Sequence, residues 1–393
     1  MWIKREISEI LRLNSDPIQV LRGPRQCGKT SLVLHLDADF QELSLDDPAL
    51  RTLAQKDPEL FLKQFAGKIF IDEAQYAPEL FPSLKRRADL YKRSDPEKYQ
   101  TIVRLTGSNQ ILMDRFIKES LAGRASFFDL CTLSTSEIRA HADTTIQEIL
   151  FKGGWPELHA HPTKPVTKYL DHFINSYIEK DIVLTAGIEK SKEFLQFLRL
   201  LAGRVGNLLD YASLGRDSGV EANTIKSWVS VLETMQIISV VRPYSTNLSK
   251  RMIKAPKVFF LDTGLACRLQ GWSEPLAMLT SPQQGQLFEN LVFTEIHKAS
   301  SNHALGIEVY HWRSRDGEEV DFLLSLPNQK WLFVEAKVSA APPPILKTLP
   351  EIRKVFREPM PQIICCHQEG ERTLDYQVPL VQLKDYLLRF VSM

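Results

Sequence analysis

The sequence predicts an α/β protein: an N-terminal parallel sheet flanked by helices, a largely helical middle ending in a hairpin, and a smaller C-terminal α/β layer. Three observations predict it. A short apolar strand, a Gly-rich loop and a helix follow one another around GPRQCGKT, Gly23 to Thr30. A continuous apolar run, Ile69-Phe70-Ile71, ends in Asp72-Glu73, as a strand buried on both faces of a parallel sheet does. Near the C-terminus a helix, a hairpin and a strand place carboxylates and a lysine at alternating positions, Glu335-Ala336-Lys337.

GPRQCGKT fits the phosphate-loop pattern G-x-x-x-x-G-K-[ST] at every fixed position. Ile18 to Leu21 reads as the strand before it and Ser31 to Leu36 as the first turns of the helix after it. At a helix N-terminus, backbone N–H groups without intrahelical partners point at an anion, and the helix dipole favours negative charge. Gly23 and Gly28 lack Cβ atoms, so the backbone can curl around phosphates. Lys29 then reaches the β- and γ-phosphates of ATP, the Thr30 hydroxyl binds Mg²⁺, and Ser31 completes the nucleotide-binding set.

Phe40 to Ala54 reads as a second strand, a turn and a helix opened by Asp46-Asp47-Pro48. After the third strand, Asp72 shares the Mg²⁺ shell with Thr30 and Glu73 polarises the attacking water. A fourth strand, Thr101 to Leu105, runs into Thr106-Gly107-Ser108-Asn109, where Ser108 or Asn109 is placed to sense the γ-phosphate; the competing reading is a cap for the next helix. Arg124 in Ser120-Leu121-Ala122-Gly123-Arg124 is a candidate arginine finger, in cis or from a neighbouring subunit of a homo-oligomer, with Arg115 as competitor.

The middle opens on a turn cluster, Gly153-Gly154-Trp155-Pro156-Glu157, followed by one amphipathic helix from Thr167 to about Leu184. Helices ending near Gly203, spanning about Leu208 to Leu214 and spanning Asn223 to Met235 precede strands at Ile237 to Val241 and Lys257 to Leu261. Lys250, Arg251 and Lys254 fall between these strands. This is helix-turn-helix plus wing order. A basic wing suits DNA phosphates, and the same module also serves as packing between domains.

Gly285 to Ala299 reads as a helix bearing Glu289; Glu308 to Trp312 and Glu319 to Leu324 read as strands around an Asp-Gly turn; a third strand runs from Trp331 to Lys337. Side chains two apart on a strand share a face, so Glu335 and Lys337 point together. With Asp321 on the neighbouring strand and Glu289 approaching from the helix, the carboxylates suit Mg²⁺ or Mn²⁺, and Lys337 is placed to activate water. This is the D…E-x-K arrangement of PD-(D/E)xK nucleases. Its competitor is a salt-bridge cluster, or a site that binds nucleic acid without cutting it. The Pro-rich run after Ser339 reads as a stop followed by a helix, and Gln362 to Cys366 as a buried strand.

Taken in order, GPRQCGKT, IFIDEAQ, LTGSNQILM and ESLAGR, then FKGGWPEL and YLDHFINSYIEKDI, resemble the prokaryotic AAA-family ATPases that carry a C-terminal domain of unknown function. The resemblance implies an AAA+-type P-loop NTPase core, a helical connecting region, a winged-helix-like segment and a restriction-endonuclease-like C-terminal domain. The segment boundaries read as 1–145, 146–192, 193–270 and 271–393.

With 49 Lys and Arg against 48 Asp and Glu, no global basic field points to nucleic acid, and any such contact must be local. Five scattered cysteines lack zinc-site spacing and read as reduced thiols. No apolar run is long enough to span a bilayer, so the expectation is a cytoplasmic ATPase acting on DNA. The alternative is a nucleotide-switched signalling or scaffolding ATPase whose C-terminal domain binds protein.

Overall fold

The computed structural model describes residues 2–65, 67–94, 100–107, 110–111, 113, 121–244, 255–313, 319–327, 330–338, 362–367 and 377–392. Ser108, Asn109, Arg115, Lys250, Arg251, Lys254 and the expected helix after Ser339 lie outside these residues. The chain forms two compact units, one of Lys4–Cys131 with Ser301–His303, the other of Thr132–Ser300 and Ala304–Met393 with Met1–Ile3. Among the described residues no helix is long and apolar enough to cross a membrane.

The first unit is built on five strands, β1 (Ile18–Arg22), β2 (Gln41–Ser44), β3 (Ile69–Asp72), β4 (Val103–Gly107) and β5 (Ala125–Asp129). They pair in the order β2-β3-β4-β1-β5, all parallel. The three inner strands are buried almost throughout, as strands covered on both faces are. Although β4 comes late in the chain, it lies between β1 and β3, with Gly107 beside Arg22 and Leu105 beside Ile71. The carboxyl ends of the strands carrying the loop, the acidic pair and Thr106 therefore meet at one edge. Ligands of open α/β sheets bind at that edge.

Two elements differ from the sequence expectation. The N-terminal run MWIKREISEILRL, which reads in sequence as one amphipathic helix, is helical only over Ser8–Leu13. The preceding residues are drawn out because Arg5 is buried and donates to the carbonyls of Cys27, at 2.9 Å, and Cys131, at 2.8 Å. In the second unit, the run from Thr167 to Leu184 is helical but not uniformly α. Val166–Phe173 is α, Ile174–Ile182 is π and Val183–Thr185 is α again. The apolar residues recur at 169, 173, 177 and at 170, 174, 178, 182, and all are buried. A repeat of four is wider than the α period of 3.6, and the wider turn keeps both columns on one face.

The GGWPE turn cluster is a junction within the second unit. Gly154 donates to Asp262 Oδ2 at 2.8 Å and accepts from the Leu133 N–H at 2.7 Å, and Asp262 Oδ1 caps the helix Thr263–Leu269. A Cβ at Gly154 would come within 2.3 Å of the Leu133 carbonyl oxygen. Trp155 is buried against Phe173, ring centroids 4.3 Å apart.

Helices Ser191–Ala202, Tyr211–Ser218 and Ala222–Thr234 then lead into β6 (Ile238–Pro243) and β7 (Lys257–Phe260), which pair antiparallel. The second of these helices starts later than expected because Asp210 caps it, accepting from the Ser213 N–H at 3.0 Å. Leu208 forms an antiparallel bridge to Lys257 on the other side of β7. Beyond the helix Gln284–Asn302 come β8 (Glu308–Arg313), β9 (Glu319–Leu326), β10 (Lys330–Lys337), β11 (Gln362–His367), β12 (Gln377–Pro379) and a final helix Leu380–Ser392. The sheet runs β12-β11-β10-β9-β8-β6-β7, so the hairpin β6–β7 and the C-terminal strands are one sheet.

Candidate nucleotide site and carboxylate cluster

The phosphate loop is shaped for an anion. Gly23 has φ +152° and Gly28, which caps the helix Lys29–Leu36, has φ +96°. A Cβ at Gly23 would come within 2.4 Å of the Leu130 carbonyl oxygen, so glycine is required there. Lys29 is buried and its Nζ donates to the carbonyls of Gly23 and Pro24, 2.8 Å each. These loop carbonyls satisfy the ammonium in the position from which it can turn to phosphate oxygens. Ser31 follows in the first turn of that helix. Cys27 is fully buried beneath the loop.

Thr30 Oγ1 donates to Asp72 Oδ2 at 2.9 Å, and Thr106 Oγ1 donates to Asp72 Oδ1. Burial pushes the Asp72 carboxyl above its ordinary range, against the pull of those two hydroxyls. Glu73 takes a left-handed conformation, φ +54°, at the turn leaving β3, and its Oε2 accepts from Gln75 Nε2. The hydroxyl, the two carboxylates and the ammonium fit a Mg²⁺–nucleotide by type: oxygen ligands for the ion and a cation for the phosphates.

Arg124 is not at this edge. It immediately precedes β5, and its carbonyl accepts from the N–H of Ile18, at the start of β1, whereas the loop follows the end of β1. A five-residue strand places these edges roughly 15 Å apart. Its guanidinium holds Asp89 in a two-point pair, 2.7 and 3.1 Å. Of the two placements open for Arg124 as a finger, in cis or from a neighbouring subunit, this position at the opposite edge of the sheet favours the second.

Thr106, Gln75 and Arg5 were not singled out from sequence. Thr106 carries the last side chain of β4, which is a usable signal once β4 is known to adjoin β3. Arg5 contacts residues 22 and 126 positions away, and no local pattern marks that.

In the second unit the expected strand motif assembles. Ladder pairing between β9 and β10 extends to Phe322 and Val334; beyond it, side chains take the freed N–H groups. Asp321 Oδ2 accepts from the Ala336 N–H at 2.9 Å, and Glu335 Oε1 accepts from the Asp321 N–H at 3.3 Å. Lys337 Nζ lies 3.0 Å from Glu335 Oε2 and 4.0 Å from Asp321 Oδ2. Glu289 instead pairs with the buried Lys257, at 3.0 Å, whose Nζ is also 2.6 Å from Glu319 Oε1. Burial and the neighbouring Asp321 charge push the carboxyl of Glu289 to about 8 and that of Glu335 to about 7. Among the described residues, no three His, Cys, Asp or Glu side chains are grouped to hold a metal ion.

Residues 15–139 match the family model described as AAA domain. Residues 143–276 and 284–386 match models described as domains of unknown function, DUF8612 and DUF4143. The chain is 27% identical over 343 residues to uncharacterized proteins Mb2031c of Mycobacterium bovis and Rv2008c of Mycobacterium tuberculosis, covering 86% of this chain and 75% of each relative. Among solved structures it is similar to the Walker-type ATPase PABY2304 of Pyrococcus abyssi, with TM-score 0.42 and 16% identity, over 68% of this chain and 96% of that one. It is also similar to Cdc6p of Pyrobaculum aerophilum, with TM-score 0.27 and 12% identity, over 72% and 92% of the two chains. With the loop, the acidic strand end and the parallel sheet in place, residues 15–139 are an AAA-type, P-loop ATPase domain.

Proposed function

We propose that the chain binds and hydrolyses ATP and acts on nucleic acid. The observation that carries the reading is the convergence of Lys29, Thr30 and Asp72, drawn from two strand ends, on one loop with its glycines in left-handed backbone. Lys29 leaves the loop carbonyls for the β- and γ-phosphates. Thr30 and Asp72 are the residues that would hold Mg²⁺, which would supply charge neutralisation at the phosphate oxygens. Glu73, held by Gln75 at the adjoining turn, accepts a proton from the attacking water. Ser108 and Asn109, the next two residues in sequence after Gly107, are assigned to sensing the γ-phosphate. Arg124 serves a neighbouring subunit's nucleotide in a homo-oligomer, with Asp89 releasing it.

Nucleic-acid contact is assigned to the middle segment as a winged-helix module. Three helices followed by β6–β7, with Leu208 bridging β7 as a third short strand, support that reading. So does the exposed polar face of the helix Ala222–Thr234, formed by Asn223, Lys226, Ser227 and Ser230. The helix followed by β8, β9 and β10, with Asp321, Glu335 and Lys337 together, supports a PD-(D/E)xK-like fold for the C-terminal segment. A second reading, a nucleotide-switched scaffold with an inactive C-terminal domain, is favoured by one observation, the buried Lys257 among that segment's carboxylates.

Fluorescence anisotropy with labelled duplex and single-stranded DNA, across a salt titration, tests the first reading. The expected result is affinity whose logarithm falls linearly with the logarithm of salt and weakens when Lys250, Arg251 and Lys254 are all changed to Ala. No affinity at low salt, with ATP turnover intact, favours the scaffold.

A further inference from the structure

A PD-(D/E)xK-like arrangement needs a divalent cation between its carboxylates, and this chain already has a cation there. Lys257 lies on β7 with its backbone fixed from both sides. Val241 of β6 pairs with it, and Leu208 bridges it on the other flank, where the Gly206 N–H donates to the Val258 carbonyl at 2.8 Å. The strand thus delivers the ammonium to a set position. Its side chain is 6% exposed, against 43% for Lys337. There it meets Glu289 from the helix Gln284–Asn302 at 3.0 Å and Glu319 from β9 at 2.6 Å.

The remaining carboxylates are engaged as well. Asp321 Oδ2 takes the Ala336 N–H and Glu335 accepts at both oxygens, from the Asp321 N–H and from Lys337. Behind Glu289, the backbone closes in: a Cβ at Gly206, where φ is +74°, would lie 3.2 Å from Glu289 Oε2. A divalent ion bound by Glu289, Asp321 and Glu335 would have to take Glu289 from a buried ammonium and then sit beside that like charge, which a low-dielectric site penalises.

We infer that the Lys257 ammonium is the resident cation of this carboxylate cluster, so that the C-terminal domain is closed to a divalent metal and does not cut phosphodiester bonds by metal catalysis. The same ion pairs fasten the β6–β7 hairpin to the helix and sheet of the C-terminal segment. The inference does not depend on ATP turnover, because the cluster and the phosphate loop belong to different units.

The test is Mn²⁺ binding by the full-length chain without nucleotide, followed by electron paramagnetic resonance and by thermal melts with and without MnCl₂. Wild type and Asp321→Asn are expected to bind Mn²⁺ indistinguishably and to show the same melting temperature with and without it. Lys257→Met, which leaves the carboxylates uncompensated, is expected to melt lower. It should also gain one Mn²⁺ that raises its melting temperature by mass action, and Asp321→Asn in the same chain should abolish the gain. Mn²⁺ bound by wild type and lost in Asp321→Asn overturns the inference, as does Mn²⁺-dependent DNA cleavage lost in Lys337→Ala. A folded Lys257→Met that gains no Mn²⁺ also overturns it. Should Lys257→Met fail to fold, the comparison of wild type with Asp321→Asn decides the question alone.

Discussion

Glu73 shows how much one residue carries. A non-glycine side chain in left-handed backbone is costly and persists where its surroundings fix it; here the end of β3 and the Gln75 amide do so. Glu73→Gln keeps the shape but cannot accept a proton, so ATP turnover should fall by about 10²- to 10⁴-fold while nucleotide affinity, read with a fluorescent analogue, stays near wild type. His159 gives a pH test. Its Nε2–H donates to the Gly153 carbonyl at 2.8 Å, and burial holds its pKa below the ordinary value. The folded imidazole therefore stays neutral at a pH where the unfolded one, titrating near 6.5, takes a proton. The stability this provides is complete above about 6.5 and is lost as pH falls toward the folded value. Urea melts should show His159→Gln losing less stability than wild type between about pH 7 and about pH 5.

Elements were legible in the sequence where contacts are local or the period is unambiguous. The phosphate loop, β3 and the alternation of Glu335 and Lys337 depend on neighbours a few residues away. The shortened first helix depends on Arg5 reaching Cys131, and the π turns over Ile174–Ile182 depend on a repeat of four that reads as α at first pass. Lys257 reads in sequence only as the start of a strand, because its partners stand 32 and 62 positions away, at Glu289 and Glu319. The GGWPE turn reads in sequence as a simple break, whereas its glycines and tryptophan hold three segments together. Trp155→Ala removes a fully buried ring packed on Phe173 and Tyr169, and should cost about 3–5 kcal/mol, measured by denaturant unfolding of the full chain.

At the scale of the molecule, two bodies of different chemistry share one chain. One presents an anion-binding loop at the carboxyl edge of a parallel sheet. The other joins a three-helix and hairpin module to a strand motif through a single sheet and a buried lysine. The central claim is that the first body turns over ATP. Steady-state phosphate release from Mg²⁺–ATP by wild type, Lys29→Ala and Arg124→Ala tests it most directly. The account predicts turnover by wild type and a loss of at least about 10²-fold in Lys29→Ala. It also predicts that inactive Arg124→Ala and Lys29→Ala chains recover activity when mixed, since each supplies what the other lacks across a subunit boundary. Turnover that persists at the wild-type rate in Lys29→Ala, or a wild type that neither binds nor hydrolyses ATP, would contradict it.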